Sequence, residues 1–189
     1  FIPPKSPQIP KVKLREKVAN PIDNFILAKL ETEKLQPNPK AKSEILLRRL
    51  SLDLTGLPPS KSDIENFVND SSPNAYEKQV DRLLASPHFA EQMTLDWMDL
   101  ARYADTHGYT VDRYRDVSPY RDWVIKAFDQ NMPYDKFIHW QLAGDMMKNP
   151  SKDQILATTF NRLHPQNQEG GIIDEEFRSE YVADRTNVL

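Results

Sequence analysis

Apolar residues recur along this chain at helical spacing, and stretches of period-two alternation are absent. Ile22, Phe25, Ile26 and Leu30 fall on one face of a first helix. Ile45, Leu46 and Leu50 mark a second, ending near Gly56 and Pro58-Pro59. Ile64, Phe67 and Val68 stripe a third, and Tyr76, Val80, Leu83 and Leu84 a fourth. Met93, Trp97, Leu100, Ala101 and Ala104 carry a fifth, Trp123, Val124, Ala127 and Phe128 a sixth, Phe137, Ile138, Gln141 and Leu142 a seventh. Ile155, Leu156, Thr159 and Phe160 give an eighth, and Phe177, Tyr181 and Val188 a ninth. Capping residues stand where these stripes begin. Asn20-Pro21, Ser86-Pro87 and Ser118-Pro119 each join an N-cap to a proline at the first helical position, where the missing N–H costs nothing. The pattern predicts an all-α, irregular domain of about eight or nine helices. They should start near Pro21, Ser43, Ser60, Asn74, Pro87, Pro119, Tyr134, Ser151 and Asp174, around a core of Trp97, Leu100, Trp123, Phe128, Phe137 and Phe160. Residues 1–19, with Pro3, Pro4, Pro7 and Pro10, read as an extended proline-rich arm, and 20–189 as the helical domain.

Composition narrows the function classes. A 28% charged fraction with 10% aromatics argues against global disorder. No apolar run reaches the ~20 residues that cross a bilayer. A net charge of −3 argues against a general nucleic-acid binder. The absence of cysteine removes disulfides, thiolate zinc sites, a Cys nucleophile and haem attachment within these residues, so no cofactor is expected on this chain itself. Charge is uneven: residues 1–50 hold eleven Lys/Arg against five Asp/Glu, and 165–189 six Asp/Glu against two Arg. The basic end reads as a solvated face. The chain opens on Phe1 and stops at Asn187-Val188-Leu189 in a helical pattern, as an excised segment would.

Three stretches could carry chemistry. In Leu100 to Tyr109, the small and apolar positions 97, 100, 101 and 104 should face the core and Gly108 should allow a left-handed exit from the helix. Asp105, His107 and Asp112 then surround a loop able to bind a cation or a sugar, or form an ion-paired helix end. Tyr120-Arg121-Asp122-Trp123 with Tyr134, Asp135 and Phe137 either wedges helices together or makes a sugar-stacking platform. His164-Pro165-Gln166-Asn167-Gln168-Glu169-Gly170-Gly171 precedes Asp174-Glu175-Glu176. Its glycines free the backbone to surround a ligand, and Glu169, Asp174 and Glu175 suit a hard cation such as calcium better than an anion. The same segment also reads as an acidic helix start after a glycine turn. His164 could act as a general base if a carboxylate orients it.

The motifs Asn20-Pro21-Ile22-Asp23, Asp53-Leu54-Thr55-Gly56-Leu57-Pro58-Pro59, Leu84-Ala85-Ser86-Pro87-His88, Ala101-Arg102-Tyr103-Ala104-Asp105, Tyr120-Arg121-Asp122-Trp123-Val124, Pro133-Tyr134-Asp135 and Gln141-Leu142-Ala143-Gly144-Asp145 occur in a fixed order. Together they resemble the DUF1549 domain, also called the planctomycete cytochrome c-associated domain (PSCyt2). The resemblance implies a module of a large extracytoplasmic (periplasmic or cell-surface) bacterial protein, beside cytochrome c-like and DUF1553-like domains. It further implies a Cys-x-x-Cys-His shortly after Glu180 to Arg185, so that a c-type haem belongs to the full-length protein. His107 falls where the family varies, which discounts it as haem ligand or base. Three functions follow: a redox-associated scaffold that docks or supports that haem, in an electron-transfer role; part of a carbohydrate-active catalytic domain, with Asp105, His164 and Glu169 as acid/base groups; or a structural or binding adaptor. Whether the chain is an enzyme stays open. Arg102, Asp105, Glu169, Glu180 and Arg185, each in a family motif, are expected to form one polar pocket or a buried structural network.

Overall fold

A computed structural model describes residues 2–188, apart from the side chain of Val188. The fold is all-α: nine α-helices and no strand among the described residues. The chain divides into two compact units, residues 1–42 and 43–189.

In the first unit, residues 2–9 are exposed and outside any helix, and a 3-10 turn, Arg15–Lys17, leads into α1, Pro21–Thr32. The start of α1 is fixed by a reciprocal cap. Asn20 Oδ1 accepts from the Ile22 N–H at 2.9 Å, and Asp23 accepts from the Asn20 N–H at 3.0 Å. Val12 and Leu27 are buried. Asn24 Nδ2 donates to the Pro10 carbonyl, and Glu31 accepts from the Lys13 N–H, which ties the arm to the helix.

The second unit holds α2 (Ser43–Thr55), α3 (Lys61–Asn69), α4 (Ala75–Leu84), α5 (Pro87–Leu100), α6 (Ser118–Asp129), α7 (Tyr134–Ala143), α8 (Lys152–Ala157) and α9 (Asp174–Val188). Short 3-10 turns cover Gly144–Met146 and Thr158–Arg162. Helix α5 packs on α2 and α6, while α8 closes over α6 and α7. The main core is aromatic. Tyr120, Trp123, Val124 and Phe137 are buried with Met98, Ala101, Ala157 and Leu163. Trp123 stacks on Phe137 with ring centroids 5.4 Å apart, and Trp97 meets Phe137 edge-on at 4.8 Å. A polar triad is embedded here. Gln141 Oε1 accepts from Tyr120 Oη at 2.6 Å and from Trp97 Nε1 at 3.0 Å, while Gln141 Nε2 donates to the Phe137 carbonyl.

Several expectations need correcting. Leu100 is 67% exposed and Ala104 is exposed, so neither is core; Ala101 is buried as expected, and Met98 points inward beside it. The reason is where α5 ends. Arg102, not Gly108, takes the left-handed exit (φ +56°), and the backbone turns away before Ala104 can join the stripe. Gly108, with φ +83°, serves the following loop. Ser118 is the first residue of α6 rather than its cap; its hydroxyl donates to Asp116. Thr159 and Phe160 lie in the 3-10 turn, not α8. Trp97, Phe128 and Phe160 are half-buried against the core. The placement of Phe1 and Leu189 and the side chain of Val188, expected on the last stripe, lie outside the described residues.

Candidate functional site

The loop after α5 and the segment before α9 meet as two irregular strips. Thr106 and Tyr114 form an isolated antiparallel bridge, and the Arg115 N–H donates to the Asp105 carbonyl. Beside them, the Gln166 N–H donates to the His107 carbonyl at 3.0 Å. Helix α9 then covers the junction. Arg102 grips Asp184 with two parallel bonds of 2.6 and 2.7 Å, and Tyr181 Oη accepts from the Asn167 N–H at 2.7 Å. The Tyr181 ring lies 4.7 Å from that of His164.

Two histidines are sealed in this junction, His164 at 5% and His107 at 7% exposure. Burial, and then the charges of Arg185, Arg115 and Arg102, hold His164 below its ordinary pKa; Asp184 partly offsets them. Arg115 donates Nη1 to the carbonyls of Arg162 and His164. Gln168 Nε2 approaches His107 Nε2 at 3.1 Å. Which of the two nitrogens donates across this contact is set by the imidazole tautomer. A cleft of about 310 Å³ opens alongside, lined by Tyr109, Pro165, Glu180, Tyr181 and Asp184.

The other candidates fall as follows. Glu180 lines that cleft, and Arg185, whose Nε donates to the Tyr181 carbonyl, sends its charge toward His164. Asp105 turns elsewhere and accepts from Tyr103 Oη at 2.8 Å; burial and then this carboxylate push the phenol up to about 12. Asp112 caps the Gly108 N–H. The Glu169 N–H donates to Asn167 Oδ1. Both carboxylate oxygens of Glu175 are taken by Arg178, and Asp174 stands exposed at the start of α9. Among the described residues no group of three or more His, Asp or Glu could hold a metal ion, so Glu169, Asp174 and Glu175 do not fit calcium. A c-type haem does not fit these residues either. The chain has no cysteine for thioether attachment, and its two best-placed histidines are sealed inside. Sequence did not mark Asp184, Arg115, Tyr181 or Tyr109 as members of a site, although Tyr181 fell on the ninth stripe and Tyr109 closed the first candidate stretch. Asp184 had a signal, because it follows Glu180 by four residues and therefore shares its helix face.

A second feature lies on the opposite chemistry. Trp97 and Leu100 of α5, Tyr134, Ile138 and Leu142 of α7, and Phe160 line an open groove of about 620 Å³. Tyr134, Ile138 and Leu142 follow at i, i+4 and i+8, a complete helical ridge with Tyr134 72% exposed. The indole N–H of Trp97 is committed inward, so the groove offers few polar groups besides Asp135 and the Tyr134 hydroxyl. Asp96 and Asp99, flanking Leu100 on α5, are exposed. None of these three aspartates joins an ion pair among the described residues.

No curated protein and no solved structure matches the chain. The model of one family does, over residues 21–189: PSCyt2, a protein of unknown function (DUF1549). With all nine helices inside the matched stretch, the chain belongs to the DUF1549 (PSCyt2) family.

Proposed function

We propose that this chain is a helical docking module of a larger extracytoplasmic protein, and that it binds a neighbouring domain of the same polypeptide through the α5–α7 groove. The observation that carries this reading is the ridge of exposed Tyr134, half-buried Ile138 and exposed Leu142 facing exposed Leu100 across an aromatic floor. Exposed apolar surface of this extent, rimmed by charge, marks interaction sites. A helix is the occupant the ridge suits, and the unpaired Asp96, Asp99 and Asp135 favour lysines or arginines along its edges. A sugar would need more hydrogen-bonding groups than Asp135 and the Tyr134 hydroxyl supply. The resemblance set out above supports the extracytoplasmic setting, the cytochrome c-like or DUF1553-like partner and the redox association. Haem, in this reading, is carried by residues other than these.

The test mixes the purified chain with the neighbouring domains of its polypeptide and follows binding by calorimetry. Leu100→Asp with Tyr134→Asp, both at exposed positions, should abolish the heat of binding while leaving the circular dichroism melt intact. A folded double variant that binds like the wild type overturns the reading. A visible spectrum of the longer protein without haem bands removes the redox association and leaves docking standing.

A further inference from the structure

Five buried side-chain polar atoms lack a hydrogen-bond partner among the described residues, and four of them crowd the junction of α5, the 105–115 loop and α9. They are Arg102 Nε, His107 Nδ1, Arg115 Nε and His164 Nδ1; the fifth, Ser51 Oγ, lies in α2. Buried polar atoms are rarely left without a partner, so four orphans in one junction need one from outside these residues, an ordered water or a ligand. The guanidinium nitrogens are obligate donors, and each imidazole Nδ1 donates in the tautomer that carries the ring proton there. Charge agrees with this inventory. Arg102, Arg115 and Arg185 all act on His164, and Asp184, which opposes them, is already bonded to Arg102.

We propose that this junction binds a single oxyanion group, a carboxylate or a sulfate- or phosphate-type group of a small ligand, held by Arg115, His107 and His164. The cleft lined by Tyr109, Pro165, Tyr181 and Asp184 lies next to His164, with the Tyr181 ring 4.7 Å from the imidazole between them, so entry from it requires Tyr181 to turn aside. Glu180 on the cleft wall repels further negative charge, so the ligand carries one such group rather than a polyphosphate. The bidentate Arg102–Asp184 pair holds α9 against the site, and Arg115 and Arg185 bond carbonyls there rather than carboxylates.

Histidine-detected NMR of the intact chain tests this with acetate, sulfate and orthophosphate, each against chloride at equal ionic strength. At least one oxyanion should shift the His164 and His107 ring resonances saturably at millimolar concentration. The same anion should raise the His164 pKa, since a negative charge beside the ring favours its protonated form. Which anion acts separates a planar from a tetrahedral ligand. Arg115→Gln should weaken the response at least tenfold. Shifts that track chloride, or a His164 titration unmoved by every anion, overturn the proposal on wild-type protein alone, even if the variant does not fold. The groove between α5 and α7 takes no part, so failure here leaves the docking reading untouched.

Discussion

Gln141 shows how one side chain can fix a core. It is fully buried, and its carbonyl oxygen accepts from both Tyr120 Oη and Trp97 Nε1. Burial drives the Tyr120 phenol pKa upward, so it remains a donor. Gln141→Leu keeps the volume but strands the buried Tyr120 hydroxyl and leaves Trp97 Nε1 with Tyr120 Oη as its one acceptor, and should cost roughly 2–3 kcal/mol in urea titration. Tyr120→Phe removes one partner and leaves Gln141 bonded to Trp97, so it should cost nearer about 1 kcal/mol. Equal losses in the two variants would show that the triad is not cooperative. Asp184 carries a pH dependence of its own. Hydrogen bonds from Arg102, and then its charge, hold the carboxyl below the ordinary range. A carboxylate depressed in the folded state adds stability above its unfolded pKa, near ~4, and loses it as pH falls through the folded value. The pair is about one-third exposed, so Asp184→Asn should cost about 1 kcal/mol at neutral pH. That difference from wild type should shrink in melts below about pH 4, and a gap that widens in acid would refute the assignment.

Elements were legible where their signals are local. Asn20 with Asp23, Ser60 with Asp63 and Ser151 with Gln154 each write a reciprocal cap, and α1, α3 and α8 start beside them. The end of α5 was not legible, because a left-handed arginine has no compositional mark and Gly108 offered a false one. Likewise, the α8 stripe continues through Phe160, yet the chain tightens into a 3-10 turn at Thr158. The junction was only partly readable for a different reason. Arg102 and Asp184 lie 82 residues apart, and no periodicity reports on a pairing of that range. Gly144 is an element-scale constraint that composition did hint at in a glycine-poor chain. A Cβ there would lie 2.3 Å from the Gln154 carbonyl oxygen, a backbone atom that cannot swing aside. Gly144→Ala should therefore push α8 away from α7 and cost roughly 1–3 kcal/mol by denaturant titration. Gly170→Ala is the control: nothing lies within 4 Å of its added methyl, and its stability should match wild type.

At the scale of the molecule, aromatic surface is shared between holding the fold and facing outward, and α5 carries both within one turn. Trp97 touches Phe137 and Phe160 and donates to Gln141, whereas Leu100, three residues on, is two-thirds exposed. Trp97→Ala should cost roughly 3–5 kcal/mol, because it empties core volume and strands part of the triad. Leu100→Ser should change stability by less than about 0.5 kcal/mol, since an exposed leucine contributes little to the folded state. Binding should invert this order. A leucine on the rim of the groove gains burial only when a partner helix covers it, so Leu100→Ser should weaken association without moving the melt. The aspartates beside it act over distance, through a field that salt screens with a Debye length of about 10 Å at 0.1 M. Raising ionic strength should thus slow association with a lysine-bearing partner, and Asp96→Asn with Asp99→Asn should flatten that salt dependence while leaving the apolar contact in place. Stopped-flow association rates across a salt series separate the two contributions. A rate indifferent to salt in the wild type would mean that the occupant of the groove is not basic, and Leu100→Ser would then report on the apolar contact alone.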